Sequence, residues 1–277
     1  MSSNEERHPQ LNRARRHFLG LAAASGARIS AVGSFAAAVF SSSGAQAKGR
    51  KWWKKDTKPG GGTMCFLRGT AIMTPTGEVC VEDLQIGDRV KTVRGEALAV
   101  KWIGRHVYKK TGPSWNEGVI PIRISQHALD HQTPHRDLYL SPGHALFMGG
   151  VLVRAKDLVN GLSIAPALTD RDMFEYFHVV LDTHEVILAE GVPAETFLVE
   201  THNYEEFTNF VEYARLYPAG KGQVMKPFAP IVGRDSGREH LKALLPQGVR
   251  RAFQMRELVE NIHERLAARA VQLMRHS

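Results

Sequence analysis

Short apolar runs separated by polar turns recur through the middle of this chain, and their lengths predict strands. From Cys65 to Val90 the sequence reads CFLRGTAIMTPTGEVCVEDLQIGDRV. One apolar stretch passes through Gly69-Thr70 into a second, Thr76-Gly77 reverses the chain, and Glu82-Asp83-Leu84 leads through Gly87-Asp88 to another strand. Residues 97–103, 119–124, 137–140, 145–147, 151–153, 177–181 and 185–188 continue the series, with Gly149-Gly150 as a hairpin turn. Many short strands without βαβ alternation predict a mainly β chain built on a compact all-β domain over 65–200. No internal repeat is visible beyond the strands.

From Tyr204 the period lengthens. Residues 204–216 (YEEFTNFVEYARL) predict a helix that stops before Pro218, and 218–237 is a loop rich in Gly and Pro. Residues 236–245 suit a short helix. Met255, Leu258, Ile262, Leu266 and Leu273 then line one face of a helix from about 251 to 274. The expectation is a C-terminal helical extension, 201–277, docked on the β-domain.

The first 64 residues follow neither pattern. Arg15-Arg16-His17-Phe18-Leu19 precedes a small-residue apolar stretch that reaches Phe40 and closes on Ala45-Gln46-Ala47. A basic start, an apolar run and an Ala-x-Ala end make an export signal over 1–47, cut after Ala47. Its Arg15, Arg16, Phe18 and Leu19 resemble a twin-arginine signal. The resemblance implies passage of folded cargo through an export machinery to the periplasm or beyond. Arg28 and the many Ser, Gly and Ala residues argue against a stable membrane span. Residues 48–64 are a basic, Gly-rich linker whose Gly60-Gly61-Gly62 frees the upstream side of the Met64-Cys65 peptide.

Composition narrows the classes further. The 277 residues are 43% hydrophobic and carry a net charge of +8, much of it near the termini, with no motif for nucleic acid. Two cysteines exclude a disulfide scaffold and an all-cysteine zinc site. His127, His131 and His135 are spaced for a helical metal site, but Pro134 breaks that helix, so neither metal nor cofactor is expected. Asp157 reads as the start of a structural turn.

Cys65-Phe66-x-x-Gly69-Thr70, Val81-Glu82-Asp83-Leu84 and Gly87-Asp88-x-Val90 resemble the opening of the Hint domains, the self-processing modules of hedgehog proteins and inteins. The likeness covers roughly residues 65–197 and implies a Hint-type fold. It implies that Cys65 attacks the Met64 carbonyl, the scissile Met64-Cys65 amide becoming a thioester. That shift is uphill unless the departing nitrogen is protonated. The family's Thr-x-x-His motif does this, and Ser141-Pro142-Gly143-His144 matches it with a serine in the threonine position. Residues 176–185 resemble a further Hint block. If the strand continues through it, Asp182 and His184 share a face with His178, Asp182 orienting a histidine and His184 carrying a proton.

Each residue also has a plainer reading. His144 alone would cap a turn, Cys65 would be a buried thiol or pair with Cys80, and Asp182-x-His184 would face solvent at a strand end. The intein ending His-Asn is missing at 191–196, which argues against full splicing, and 102–105 offers no aspartate for sterol transfer. The expected activity is cleavage of the chain's own N-terminal segment, with water or a small nucleophile resolving the thioester. The alternative is a non-catalytic exported interaction module on the same fold, and a third reading is a cysteine hydrolase acting on other proteins.

Overall fold

The computed structural model describes residues 64–167, 170–200, 202–218, 224–232 and 249–276, the last with side chains over 255–275. The twin-arginine motif, Ala47, the linker through residue 63 and the helix expected at 236–245 lie outside the described residues.

The strands are β1 (Phe66–Leu67), β2 (Ala71–Thr74), β3 (Gly77–Cys80), β4 (Arg89–Lys91), β5 (Ala97–Ala99), β6 (Trp102–Lys109), β7 (Ile122–Ile124) and β8 (Leu138–Leu140). They continue with β9 (Ala145–Met148), β10 (Val151–Arg154), β11 (Ile164–Pro166), β12 (Met173–Val180), β13 (Val186–Ala189), β14 (Val192–Glu195) and β15 (Ile231–Val232). Among the described residues two α-helices follow the main strands, α1 (Phe210–Leu216) and α2 (Val249–His276). The chain is therefore mainly β with a C-terminal helical extension.

One sheet has six strands in the order β11-β7-β8-β1-β12-β6, and a second has seven in the order β15-β10-β9-β14-β13-β2-β3. β4 and β5 form a separate ribbon. The chain passes from the first sheet to the second three times, after β1, after β8 and after β12. Apolar side chains of both sheets meet in one core, Phe66, Leu140, Phe177 and Val179 from the first and Ile72, Leu146, Ile187 and Ala194 from the second. Each of these side chains larger than alanine contributes roughly 2 kcal/mol by leaving water. Strand alternation sends the neighbours of Phe66 the other way: Cys65 and Leu67 join a second cluster with Trp102, Tyr176, Phe197, Phe207 and Tyr213.

Four local departures have physical causes. The run 97–103 is two strands, because the Val100 N–H donates to Asp88 O and the Lys101 N–H to Val180 O, which hands the chain from the β4 ribbon to β12. Strand β14 contains Pro193, a residue that argues against a central strand. It is tolerated because β14 pairs with β9 only at Ala194↔Leu146. The helix expected over 204–216 is a 3-10 turn (Asn203–Glu206) followed by α1, since Phe207 turns inward between them and is buried. Strand β12 stops at Val180, so Asp182 and His184 do not continue its alternation.

Helix α2 lays Ile262, Leu266 and Ala270 into the core, with Met255, Leu258 and Leu273 beside them. Arg269 Nε donates to His127 O at 2.9 Å, and Leu258 lies 3.0 Å from where a β-carbon on Gly149 would stand. Gly149 has φ +58, so glycine serves both the hairpin turn and the helix seat.

Candidate functional site

The crossing after β8 meets Cys65, which stands just ahead of β1. Ahead of β1, the Cys65 N–H donates to Ser141 Oγ at 2.8 Å, and the Ser141 N–H donates back to Cys65 O at 2.9 Å. The amide nitrogen of the Met64-Cys65 peptide is thus held by the first residue after β8. A Ser-Pro-Gly turn follows, closed by the His144 N–H on Ser141 O at 3.1 Å, and brings the His144 ring inward. Cys65, Ser141 and His144 are all buried.

The His144 ring lies 4.3 Å from the Phe66 ring and stacks on His178 at 5.1 Å with 27° between planes. Burial pushes its pKa from 6.5 down to about 3, against the favourable backbone of Glu195 and Cys65 beside it. His178 is likewise lowered well below its ordinary value, first by burial and then by His144 and His184. Both rings are therefore neutral near pH 7, able to accept a proton and pass it on. Tyr176, next to Cys65 in the same cluster, is pushed well above its ordinary value by burial, and its hydroxyl donates to Val119 O at 2.8 Å.

His184 enters from the third crossing. Its Nδ1 accepts the Phe228 N–H at 2.9 Å, which puts the ring proton on Nε2, and Nε2 faces Glu195 Oε2 at 3.5 Å. The other oxygen, Oε1, accepts the Ala145 N–H at 2.7 Å, on the peptide that follows His144. Both side chains are essentially without solvent contact. A buried carboxyl group is costly unless it is held, and this one ties the His184 crossing to the His144 crossing.

The structure thus gathers Cys65, Ser141, His144, His178 and, through Glu195, His184. Asp182 is a correction. It stands in the bend after β12, its side chain 76% exposed and 3.1 Å from Lys101 Nζ, and it orients no histidine. The residue that does face His184 is Glu195. Its signal was a charged side chain in an apolar run, VPAETFLV, hidden by Pro193. A His-Asn dipeptide does occur at His202-Asn203, but the Asn203 amide is occupied by Leu198 O at 2.8 Å and the Glu200 N–H at 3.0 Å.

No disulfide joins Cys65 to Cys80, which sits across from Ala71 in the β2-β3 hairpin with its thiol pKa raised chiefly by burial. His127, His131 and His135 are not gathered. His135 instead meets Glu78 at 3.0 Å and Glu190 at 3.2 Å, where Arg136 Nε also reaches Glu190 at 2.9 Å. With a guanidinium already on the shared carboxylate, the trio reads as an ion-pair network.

The family model described as "Hint domain" matches residues 64–201. Among solved structures the chain is similar to the MchDnaB-1 intein, with 17% identity, 46% of this chain and 98% of that one covered, and a TM-score of 0.35. It is also similar to the bacterial intein-like domain from Clostridium thermocellum (16% identity, 49% and 99% covered, TM-score 0.36). A DnaB intein from Synechocystis sp. PCC 6803 gives 11% identity, 48% and 98% covered, and a TM-score of 0.34. No curated protein matches the chain. The match spans the segment that opens on Met64-Cys65, contains Ser141 and His144, and closes just beyond Glu195, so the chain belongs to the Hint domain family through residues 64–201.

Proposed function

We propose that this domain cleaves its own Met64-Cys65 peptide once, through a thioester at Cys65. The Cys65 thiol gives its proton to His144, and Sγ forms a bond to the Met64 carbonyl carbon. The C–N bond breaks, and the proton passes from His144 to the departing nitrogen. A thiol, an amine or water then takes the Met64 acyl group, and Cys65 recovers its thiol. The carrying observation is the double hydrogen bond between Cys65 and Ser141, which fixes the amide nitrogen at the entrance of the turn that bears His144. The lowered pKa of His144 supports the role, since a ring already protonated could not take the thiol proton.

Export by the twin-arginine route, with cleavage after Ala47, belongs to the same reading and rests on Arg15, Arg16, Phe18 and Leu19. Among the described residues no helix is long and apolar enough to cross a membrane. One observation favours a non-catalytic module instead: Cys65 has no solvent exposure.

Intact mass of the purified chain, with and without a millimolar thiol, tests the proposal beside Cys65→Ala. The expected result is a thiol-dependent fragment that begins at Cys65 and is absent from the variant. A chain that stays whole in every condition would sink self-cleavage and leave the interaction module.

A further inference from the structure

Residues 203–217 lie beyond the matched domain, yet they complete the cluster that holds Cys65. Phe207 and Tyr213 are 2% and 5% exposed and share that cluster with Cys65, Trp102, Tyr176 and Phe197, with Met64, Tyr204 and Tyr217 packed against it. The rings form a continuous path: Phe207 to Phe197 at 5.1 Å, Phe197 to His178 at 5.2 Å, and His178 to His144 at 5.1 Å. From the other side, Trp102 meets Phe207 at 5.4 Å and Tyr213 at 5.0 Å.

The seat for this segment is built into β6, the edge strand of the six-stranded sheet. A β-carbon on Gly104 would stand 2.7 Å from the Phe207 ring, closer than packed atoms approach, and Gly104 has no left-handed φ that would otherwise call for glycine. The backbone of β6, which an edge strand leaves open, is satisfied from the segment. Thr208 N–H and Oγ1 donate to Arg105 O at 2.8 and 2.7 Å. The Arg105 N–H donates to Asn209 Oδ1 at 2.8 Å, and Asn209 Nδ2 donates to Ile103 O at 2.9 Å. Two longer contacts finish the seam, Tyr217 OH on Lys101 O at 3.1 Å and Trp102 Nε1 on Glu212 Oε2 at 3.2 Å.

These contacts come at a local cost to the segment. Asn209 precedes α1 but makes no side-chain cap to its backbone, because its Oδ1 already accepts the Arg105 N–H of β6. A helix of seven residues without a side-chain N-cap is not stable alone, so α1 persists only while docked. An element whose order depends on docking opens as a unit.

We propose that residues 203–217 are a strap that closes the Cys65 chamber, and that an external nucleophile reaches Cys65 only when the strap lifts from β6. This rests on the reading of Cys65 as the nucleophile and adds what limits its last step. The strap holds the thioester away from water, and its opening sets when the acyl group leaves.

Alkylation of the full chain by iodoacetamide, resolved by peptide mass, tests the strap in wild type, Gly104→Ala, Phe207→Ala and Asn209→Ala. Cys80 in the β2-β3 hairpin is the internal reference. Lifting the strap is expected to raise Cys65 labelling about tenfold or more while Cys80 labelling stays within twofold. Equal Cys65 rates in all four proteins would overturn the strap, and so would a parallel rise at both cysteines, which marks global unfolding. Asn209→Ala loses hydrogen bonds to β6 and to Glu212 but leaves the packed rings in place, so it remains informative if the two packing variants fail to fold. The readout needs no cleavage. A chain that never cleaves but labels in this pattern keeps the strap and refutes the proposed activity, and a chain that cleaves without the pattern does the reverse.

Discussion

A buried neutral histidine makes the native state sensitive to acid, and His144 allows the size of that effect to be worked out. In the unfolded chain its imidazole takes a proton near pH 6.5, whereas the folded site holds it neutral down to about pH 3. Between those values the unfolded state binds one more proton than the native state, so stability rises with pH and is lost as pH falls below 6.5. Each unit corresponds to about 1.36 kcal/mol, which makes the loss from His144 about 2 kcal/mol on going from about pH 7.5 to about pH 5. His178 shifts in the same direction and adds to the loss. Against a typical stability of about 5–15 kcal/mol this is a measurable fraction. His144→Phe keeps a ring against Phe66 and His178 but removes the titration. Urea unfolding of wild type and variant at both pH values should show the variant losing about 2 kcal/mol less than wild type between them. An identical loss in the two proteins would mean that His144 takes up its proton in the folded state, and the argument for a neutral, proton-accepting ring would fail with it.

Two further substitutions separate the residues that meet from one that does not. Ser141→Ala removes the acceptor of the Cys65 N–H, and leaving that buried donor unmet costs about 1–3 kcal/mol. Thiol-dependent cleavage followed by mass should slow about tenfold or more, and an unchanged rate would separate Ser141 from the chemistry. Asp182→Asn alters an exposed side chain paired with Lys101, so both cleavage rate and urea midpoint should match wild type. A large drop in rate would return Asp182 to the site.

The strand pattern and the nucleophile motif were legible because each depends on residues close together in sequence. Cys65-Phe66-x-x-Gly69-Thr70, a short strand and its turn, and Ser141-x-x-His144, a single turn, each keep backbone and side chains within a few positions. The partner of His184 was not legible. Placing it required knowing that β12 ends at Val180 and that β14 exists despite Pro193. Alternation through 178–184 made Asp182 the obvious choice, and a bend two residues long moved it to the surface. The strap was hidden for a related reason. The apolar spacing of 204–216 suits one helix, but Phe207 is drawn into a seat opened by Gly104, about a hundred residues away in sequence.

The same geometry explains why the site needs two sheets. A nucleophile on one strand and a base two residues along it would be fixed by local pairing alone. Here Cys65 and His178 belong to the six-stranded sheet, while the residues fixing His144 and His184 belong to the seven-stranded one through Ala145 and Glu195. The Cys65-Ser141 bonds extend the β1-β8 pairing of the six-stranded sheet, and Glu195 joins β14 to β9 in the seven-stranded one. The relative position of thiol and imidazole is therefore set by how the sheets pack, not by either sheet alone. Packing of this kind is stiff, because interiors are close-packed and yield little to local change. The strap sits on the edge of one sheet and reaches His178 through Phe207 and Phe197, so on the proposal above it can lift while both sheets stay in place.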